Sequence, residues 1–364
     1  MIDRFFNFSP GPAVMPLPVL EQIQREMIAL PGVGMSVLEI SHRSKAFDGI
    51  LAEAQTLTRQ LLGVPDNYRI VFMQGGAHLQ FTAVAMNFLR DSGKTADYVI
   101  TGSWGNGAIK EAQKQGSTRV VWDGKEHNYS YLPKWSDLEF NRDAAYLHIT
   151  SNETIQGIQF RGEPDTGAVP LICDSSSDFL SRPIAVNRYG LIYACAQKNA
   201  GIAGVTMAII RDDLLERVPK NLPGMLDYAN FVKNDSRPNT PPVFAIYAFM
   251  LVARWLKYEI GGLEKMAELN ERKAKLLYDV LDSCGGFYRP HARPDSRSRM
   301  NVTFRLPSEE LESTFLAEAK KLNLYDLKGH RSVGGIRASI YNAMPIKGVE
   351  TLAGFMRDFA KRVS

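Results

Sequence analysis

The chain is 364 residues long and 45% hydrophobic, enough to bury a large core and to divide into two domains. Its 43 Lys and Arg nearly balance 39 Asp and Glu, and the formal excess of +4 is spread along the chain. That excludes a basic nucleic-acid arm and leaves room for small anionic substrates.

Three scattered cysteines (Cys173, Cys195, Cys284) argue for a reducing compartment rather than a disulfide framework. The opening stretch has no apolar segment of signal-peptide length, and the longest apolar run, from Val243, stops at Arg254, too short to span a bilayer. A cytoplasmic protein with no membrane or nucleic-acid partner is expected.

After an N-terminal segment, FNFSPGPA (Phe6 to Ala13), apolar and β-branched runs recur, each followed by a turn rich in Gly, Ser, Asn or Asp. In order they are RIVFM before QGGAH, DYVIT before GSWGNG, AAYLHIT before SNETIQG, AVPLIC before DSSSD, LIYACA before QKN, and GVTMAII before RDD. Helical patterns separate several of them, as in LQFTAVAMNFLRD after His78 and NGAIKEAQKQG after Gly105. This alternation predicts an α/β fold with a mostly parallel sheet sandwiched by helices. Ligands of such sheets bind outside the carboxyl ends of the strands, so all of these turns are expected at one site.

NDSRPNTPP (Asn234 to Pro242) reads as a loop, with Asn239 or Thr240 capping the helix that follows. A second region begins near Gly261-Gly262. Leu263 to Ser283 reads as one amphipathic helix closed by Gly285-Gly286, followed by RMNVTFRL, a helix from Ser308, the loop KGHRSVGG, IRASIYN and a last helix. The expected division is an N-terminal segment near the site (1–15), a large domain (16–260) and a smaller C-terminal α+β domain (261–364).

The turns carry the chemistry. Lys198, in CAQKNAGIAG, is either an exposed loop lysine or a Schiff-base lysine for pyridoxal phosphate, whose amine apolar surroundings would lower and activate. Asp174, at the end of the preceding strand, either caps a turn or gives a pyridine nitrogen its anionic partner. Gly75-Gly76-Ala77-His78 suits an ordinary tight turn, or a helix N-terminus approached by a phosphate. Trp104 is a core residue or a platform for a flat ring. His42-Arg43, and His330-Arg331 with Arg337, are surface ion-pair residues or forks for carboxylate and phosphate. The six histidines have no metal-ligand spacing, so no metal is expected.

FNFSPGPA, SHRSK, FMQGGAHLQF, SNETIQG, CDSSSDFLSRP, CAQKNAGIAG, RPNTPP and KGHRSVGGIRASIYNA follow one another nearly end to end. In that order they give the chain a close resemblance to the phosphoserine aminotransferase family, in the class V aminotransferase group of the fold-type I pyridoxal-phosphate enzymes. The resemblance implies a seven-stranded sheet and pyridoxal 5'-phosphate as cofactor. It implies Lys198 as the covalent anchor, Asp174 as pyridinium partner, Trp104 stacked on the ring, and Thr154 on its phenolic oxygen. Ala77, His78 and Gln197 are implied at the cofactor phosphate, joined by Asn239 and Thr240 of a neighbouring chain in a homodimer with shared sites. Ser9, His42, Arg43, His330, Arg331 and Arg337 are implied in substrate binding, Arg337 at the α-carboxylate and both His-Arg pairs at the substrate phosphate.

The implied reaction converts L-glutamate and 3-phosphohydroxypyruvate to 2-oxoglutarate and O-phospho-L-serine, in serine biosynthesis. 4-Phosphohydroxy-L-threonine, from pyridoxine biosynthesis, is a possible further substrate. Many members of the family carry Arg where this chain has His78. Two alternatives stay open: a cysteine desulfurase using Cys284 on the same scaffold, and a non-catalytic binding protein that keeps the fold.

Overall fold

The computed structural model describes residues 4–363. The chain enters through β1 (Phe6–Asn7), α1 (Leu17–Glu26) and α2 (Lys45–Leu62). The side chain of Ser44 accepts the Phe47 N–H and so caps α2 at its start.

The βα alternation then follows: β2 (Tyr68–Gln74), α3 (Ala77–Phe88), β3 (Ala96–Ile100), α4 (Ser103–Ala112), β4 (Thr118–Asp123) and β5 (Leu147–Thr150). A small hairpin, β6 (Asn152–Glu153) with β7 (Ile158–Gln159), precedes β8 (Leu171–Asp174), β9 (Leu191–Cys195) and β10 (Val205–Arg211). Seven of these strands form one sheet in the order β2-β10-β9-β8-β5-β3-β4. Every neighbouring pair is parallel except the two that β10 makes, with β2 and β9.

Helices cover both faces, which is why strands such as β3, β8 and β9 are buried along their whole length and read as unbroken apolar runs. After two short helices, α5 (Asp212–Leu215) and α6 (Tyr228–Lys233), comes α7 (Val243–Arg254). It packs with α2 on one face, through Ile246, Phe249, Leu51 and Leu57. α3 and α4 cover the other face through Phe81, Val84, Ala108 and Ile109. α7 is buried from Ala245 to Ala253, so the run from Val243 is apolar on every side because it is enclosed by protein.

Beyond Gly261 and Gly262 come α8 (Leu263–Ser283), β11 (Arg289–Pro290), β12 (Asn301–Arg305), α9 (Glu309–Lys321), β13 (Leu324–Tyr325), β14 (Ile336–Ser339) and α10 (Ile346–Val363). The antiparallel sheet β11-β12-β14 and these helices share a separate apolar cluster that includes Leu277, Phe304, Phe315 and Phe359. Phe8 and Val14 belong to this cluster and β1 pairs with β13, so the N-terminal segment is anchored to the C-terminal unit.

Three expectations are corrected. The strand β4 is absent from the runs read in the sequence; it is a sheet edge, only partly buried, so TRVVWD lacks a continuous apolar signature. The turn Arg211-Asp212-Asp213 does not join the other turns. β10 is antiparallel, its Arg211 lies opposite Tyr68 at the start of β2, and Asp212 pairs with Arg69 at the far end of the sheet. Neither Asn239 nor Thr240 caps α7, whose N-cap is Pro242. Instead the Gln74 side-chain amide donates to Asn239 Oδ1 (3.0 Å) and to the Thr240 carbonyl (2.7 Å).

Candidate active site

The loops after β2, β3, β5, β8 and β9 meet at a cavity of about 300 Å³, closed on its far side by Pro10 and Gly11 and by His330 and Arg337 of the C-terminal unit. This is the carboxyl end of the parallel strands, where helix N-termini and strand-end side chains converge.

Lys198 projects from the turn after β9. Its Nζ donates to Thr154 Oγ1 at 3.1 Å and stands 5.6 Å from the centre of the Trp104 ring. Burial pulls the amine down, but Tyr341, Cys195, Asp174 and Glu153 together outweigh it and leave the pKa above the usual lysine value. The expected lowering by apolar surroundings is therefore corrected in direction: burial does lower the pKa, but the acidic groups around the amine, Asp174 and Glu153 among them, raise it by more. Gly11, at φ +138°, lies so close that an added Cβ would come within 3.3 Å of Lys198 Cγ. The N-terminal segment thus rests on the lysine stem.

Asp174 ends β8, buried, and accepts the Ser176 N–H at 2.9 Å. Burial raises its pKa, while Ser176 and Lys198 pull the other way. Trp104 sits in the first turn of α4; its indole Nε1 is buried without a hydrogen-bond partner, as is Thr150 Oγ1.

Glu153, a residue the sequence reading passed over, holds this helix in place. Its carboxyl accepts the N–H of Trp104 (3.1 Å) and of Gly105 (2.9 Å). It satisfies first-turn donors that the N-cap, Gly102, leaves without a side-chain partner. Burial pushes its pKa up to about 7 against those two hydrogen bonds. A Cβ on Gly102 would fall 2.6 Å from the carboxyl carbon of Glu153 and from Gln156 Oε1, so only glycine leaves room for the pair. The one signal in the sequence was an acid inside SNETIQG, indistinguishable there from an exposed turn residue.

Ala77 and His78 open α3 and line the cavity; Gly76 before them provides no side-chain cap, so their N–H groups are left without an acceptor in the helix. The His78 ring packs edge-on against Trp104 (5.5 Å between centroids) and at a tilt against Phe81 (5.4 Å). Gln197 and Thr154 complete this wall.

From the C-terminal unit, Arg337 is buried, and its Nε has no partner. His330 Nδ1 accepts the Ser332 N–H, so its neutral ring carries the proton on Nε2. Burial, then Arg337 and Arg331, lower the His330 pKa.

The remaining sequence candidates do not line this cavity within one chain. Ser9 is one residue short of it, beside Pro10. His42 and Arg43 occupy the turn before α2, and Arg331, Asn239 and Thr240 are exposed. The two His-Arg pairs therefore do not surround one point in a single chain. Cys284 packs against the C-terminal core, away from the cavity.

The donor set fits pyridoxal phosphate. An indole face, an amine, a buried carboxylate and acceptor-free N–H groups at a helix N-terminus supply what an aromatic aldehyde with a basic ring nitrogen and a phosphate needs. The buried polar atoms left without partners, Trp104 Nε1 and Thr150 Oγ1, lie on residues of its wall.

The sequence profile of the class V aminotransferases matches residues 5–352, and the chain belongs to that family; it is a pyridoxal-phosphate-dependent aminotransferase. Within the family it is similar to the phosphoserine aminotransferase of Rhodopirellula baltica, 56% identical over all of this chain and 96% of that one. It superimposes on the phosphoserine aminotransferase of Bacillus circulans subsp. alkalophilus with a TM-score of 0.97, at 50% identity over 99% of both chains. The pyridoxal-phosphate-bound phosphoserine aminotransferase of Trichomonas vaginalis matches at a TM-score of 0.92 and 42% identity, over 97% of this chain and 100% of that one.

Proposed function

We propose that the chain is a phosphoserine aminotransferase, moving an amino group from L-glutamate to 3-phosphohydroxypyruvate to give O-phospho-L-serine and 2-oxoglutarate. The observation that carries the substrate class is Arg337: a buried guanidinium at the cavity wall with no acid paired to it among the described residues. An α-carboxylate would supply the missing anion bidentately. His330 beside it suits the second anionic group.

Pyridoxal phosphate, when bound, supplies an electron sink for the bond broken at the substrate Cα. The chain's residues do the rest. Lys198 Nζ anchors the cofactor and, once released, carries the proton from the substrate Cα. Asp174 keeps an anion at the ring nitrogen, Trp104 offers its face, and Thr154 offers a hydroxyl to the oxygen beside the reacting carbon. The first-turn N–H groups of α3, with Gln197, take the phosphate.

Assembly is part of the proposal: a cytoplasmic homodimer in which Asn239 and Thr240 complete the partner's phosphate site, with Ser9, His42, Arg43 and Arg331 in substrate binding. Its support is an apolar surface beside those exposed polar residues. Leu38 is 64% exposed and Met35 49%, and Thr240, Pro241, Ile202 and Phe244 line the neighbouring groove. Among the described residues no helix is long and apolar enough to cross a membrane. The division at 15 and 260 is also part of the proposal; its support is that residues from Ala274 onward share one apolar cluster with Phe8 and Val14, apart from the two clusters on the faces of the large sheet.

The test is a half-reaction titration of the cofactor-loaded protein, followed by absorbance. O-phosphoserine and glutamate should each convert the bound cofactor, and serine should do so far more slowly. Equal rates for serine and O-phosphoserine would sink the phosphate-bearing substrate. Unresponsive absorbance with all three would favour a binding protein.

A further inference from the structure

We propose that Lys273 is a positioning residue for this active site: its ammonium fills a carbonyl-lined position suited to a monovalent cation, and so ties the strand bearing Arg337 to the loop bearing Lys198. Lys273 lies on α8 and is 2% exposed. Its Nζ donates to the carbonyl oxygens of Tyr341 (2.7 Å) and Ile340 (2.9 Å), with those of Asn342 (3.3 Å) and Met344 (3.4 Å) close by. Burial lowers its pKa to about 7, and no ion pair offsets that among the described residues. A buried ammonium without an anion is costly, so a helix that needed only to fill space would carry Leu or Met here.

The carbonyls belong to the turn that directly follows β14, the strand of Arg337. The same turn also reaches the Lys198 loop, the segment of Leu180 and Ser181, and the N-terminal segment. The Asn342 N–H donates to Asn199 Oδ1 (2.9 Å), next to Lys198, and the Asn342 side-chain amide donates to the Leu180 carbonyl (2.8 Å). Asn270, one turn before Lys273 on α8, donates to Asn342 Oδ1 (2.8 Å) and to the Ser181 carbonyl (3.1 Å). The Tyr341 hydroxyl donates to the carbonyl of Pro10 (2.8 Å), a residue of the cavity wall. The N-terminal segment, the Lys198 loop and the Arg337 strand therefore meet at one turn. Several of its carbonyl dipoles converge on a single positive charge; the Tyr341 carbonyl also accepts the Met344 N–H (2.9 Å), so removing the charge costs most at the Ile340 carbonyl, the other close acceptor.

The kinetic arm rests on the aminotransferase reading; the binding arm does not. Lys273→Met keeps the volume and deletes the cation. It should fold, yet lose on the order of ten- to a hundredfold in kcat/KM with both O-phosphoserine and glutamate, the range expected when reacting groups are misplaced by about 1 Å. Its affinity for pyridoxal phosphate should fall as well. Lys273→Ala leaves room for a small cation, so ammonium or methylammonium chloride should raise its unfolding temperature and restore part of kcat/KM. Tetramethylammonium chloride at equal ionic strength should do neither.

Wild-type kinetics and cofactor affinity in Lys273→Met would overturn the proposal, as would an equal response of Lys273→Ala to all three salts. If neither variant folds, Asn342→Ala decides, because it keeps the ammonium, its carbonyls and the backbone link to Asn199 but cuts the side-chain links of the turn to Leu180 and Asn270. A comparable loss of kcat/KM supports the proposal, and unchanged kinetics overturn it. A wild type inert toward O-phosphoserine would defeat the substrate reading while leaving the salt-dependent unfolding temperatures to judge the cation position.

Discussion

Arg337 keeps a guanidinium buried beside the cavity with no acid to answer it, and burial lowers its pKa. An unpaired buried cation of this kind is destabilising until an anion arrives, so the interaction is available to a ligand carboxylate. Arg337→Ala should cost about 3 kcal/mol of that charge-assisted contact, on the order of a hundredfold in kcat/KM for glutamate and O-phosphoserine alike. Arg337→Lys should recover only part, since a point charge cannot form the fork. Steady-state kinetics of both variants check this, and an effect confined to one substrate would place the α-carboxylate elsewhere. Lys198 differs in kind: burial lowers its pKa too, but the acidic groups around it raise it above the usual lysine value.

The helix α4 illustrates how an element is placed by a residue outside it. Its first turn carries Trp104, and its N–H groups are met by Glu153 of the hairpin strand β6. The Glu153 carboxyl, with a folded pKa of about 7 against 4.5 when unperturbed, binds its proton more tightly folded than unfolded. Its contribution is therefore fully present below pH 4.5 and is lost as pH rises through 7. Asp174 lies nearby and raises that pKa; Lys198 and the two N–H groups lower it. In cofactor-stripped protein, wild-type unfolding free energy should decline relative to Glu153→Gln between pH 4.5 and 8. The decline is bounded by about 3 kcal/mol, the equivalent of the shift. Denaturant titrations at several pH values measure it. Parallel curves for the two proteins would mean that Glu153 ionises as it does in the unfolded chain.

At the scale of the whole molecule, a single chain assembles only part of the proposed site. Asn239 and Thr240 are exposed and held by Gln74, outside the cavity. If they complete a partner's site, inactive Lys198→Ala chains mixed with inactive chains carrying both Asn239→Ala and Thr240→Ala should regain activity. A heterodimer has one site with Lys198 from one chain and Asn239 and Thr240 from the other. Random exchange should restore about a quarter of wild-type activity, because half the dimers are mixed and each has one whole site. A mixture as inactive as its parents, or sedimentation showing a fully active monomer, would rule out shared sites.

The sequence by itself determined the βα alternation, the helix from Leu263 to Ser283, and the strand ends around which Lys198, Asp174, Trp104 and His78 gather. Those signals are local: apolar runs bounded by turn residues set strands, and parallel strands deliver their following turns to one end of the sheet. Only the tertiary structure decided that β10 runs backwards and takes Arg211-Asp212-Asp213 away from the site, since strand direction depends on pairing and leaves no mark in a seven-residue run. It likewise decided that TRVVWD is an edge strand and that the N-terminal segment pairs with β13. Glu153 and Lys273 read in sequence as ordinary charged residues. Their roles arise because folding removes water from both and leaves backbone groups as their hydrogen-bond partners, donors for the carboxyl and acceptors for the ammonium.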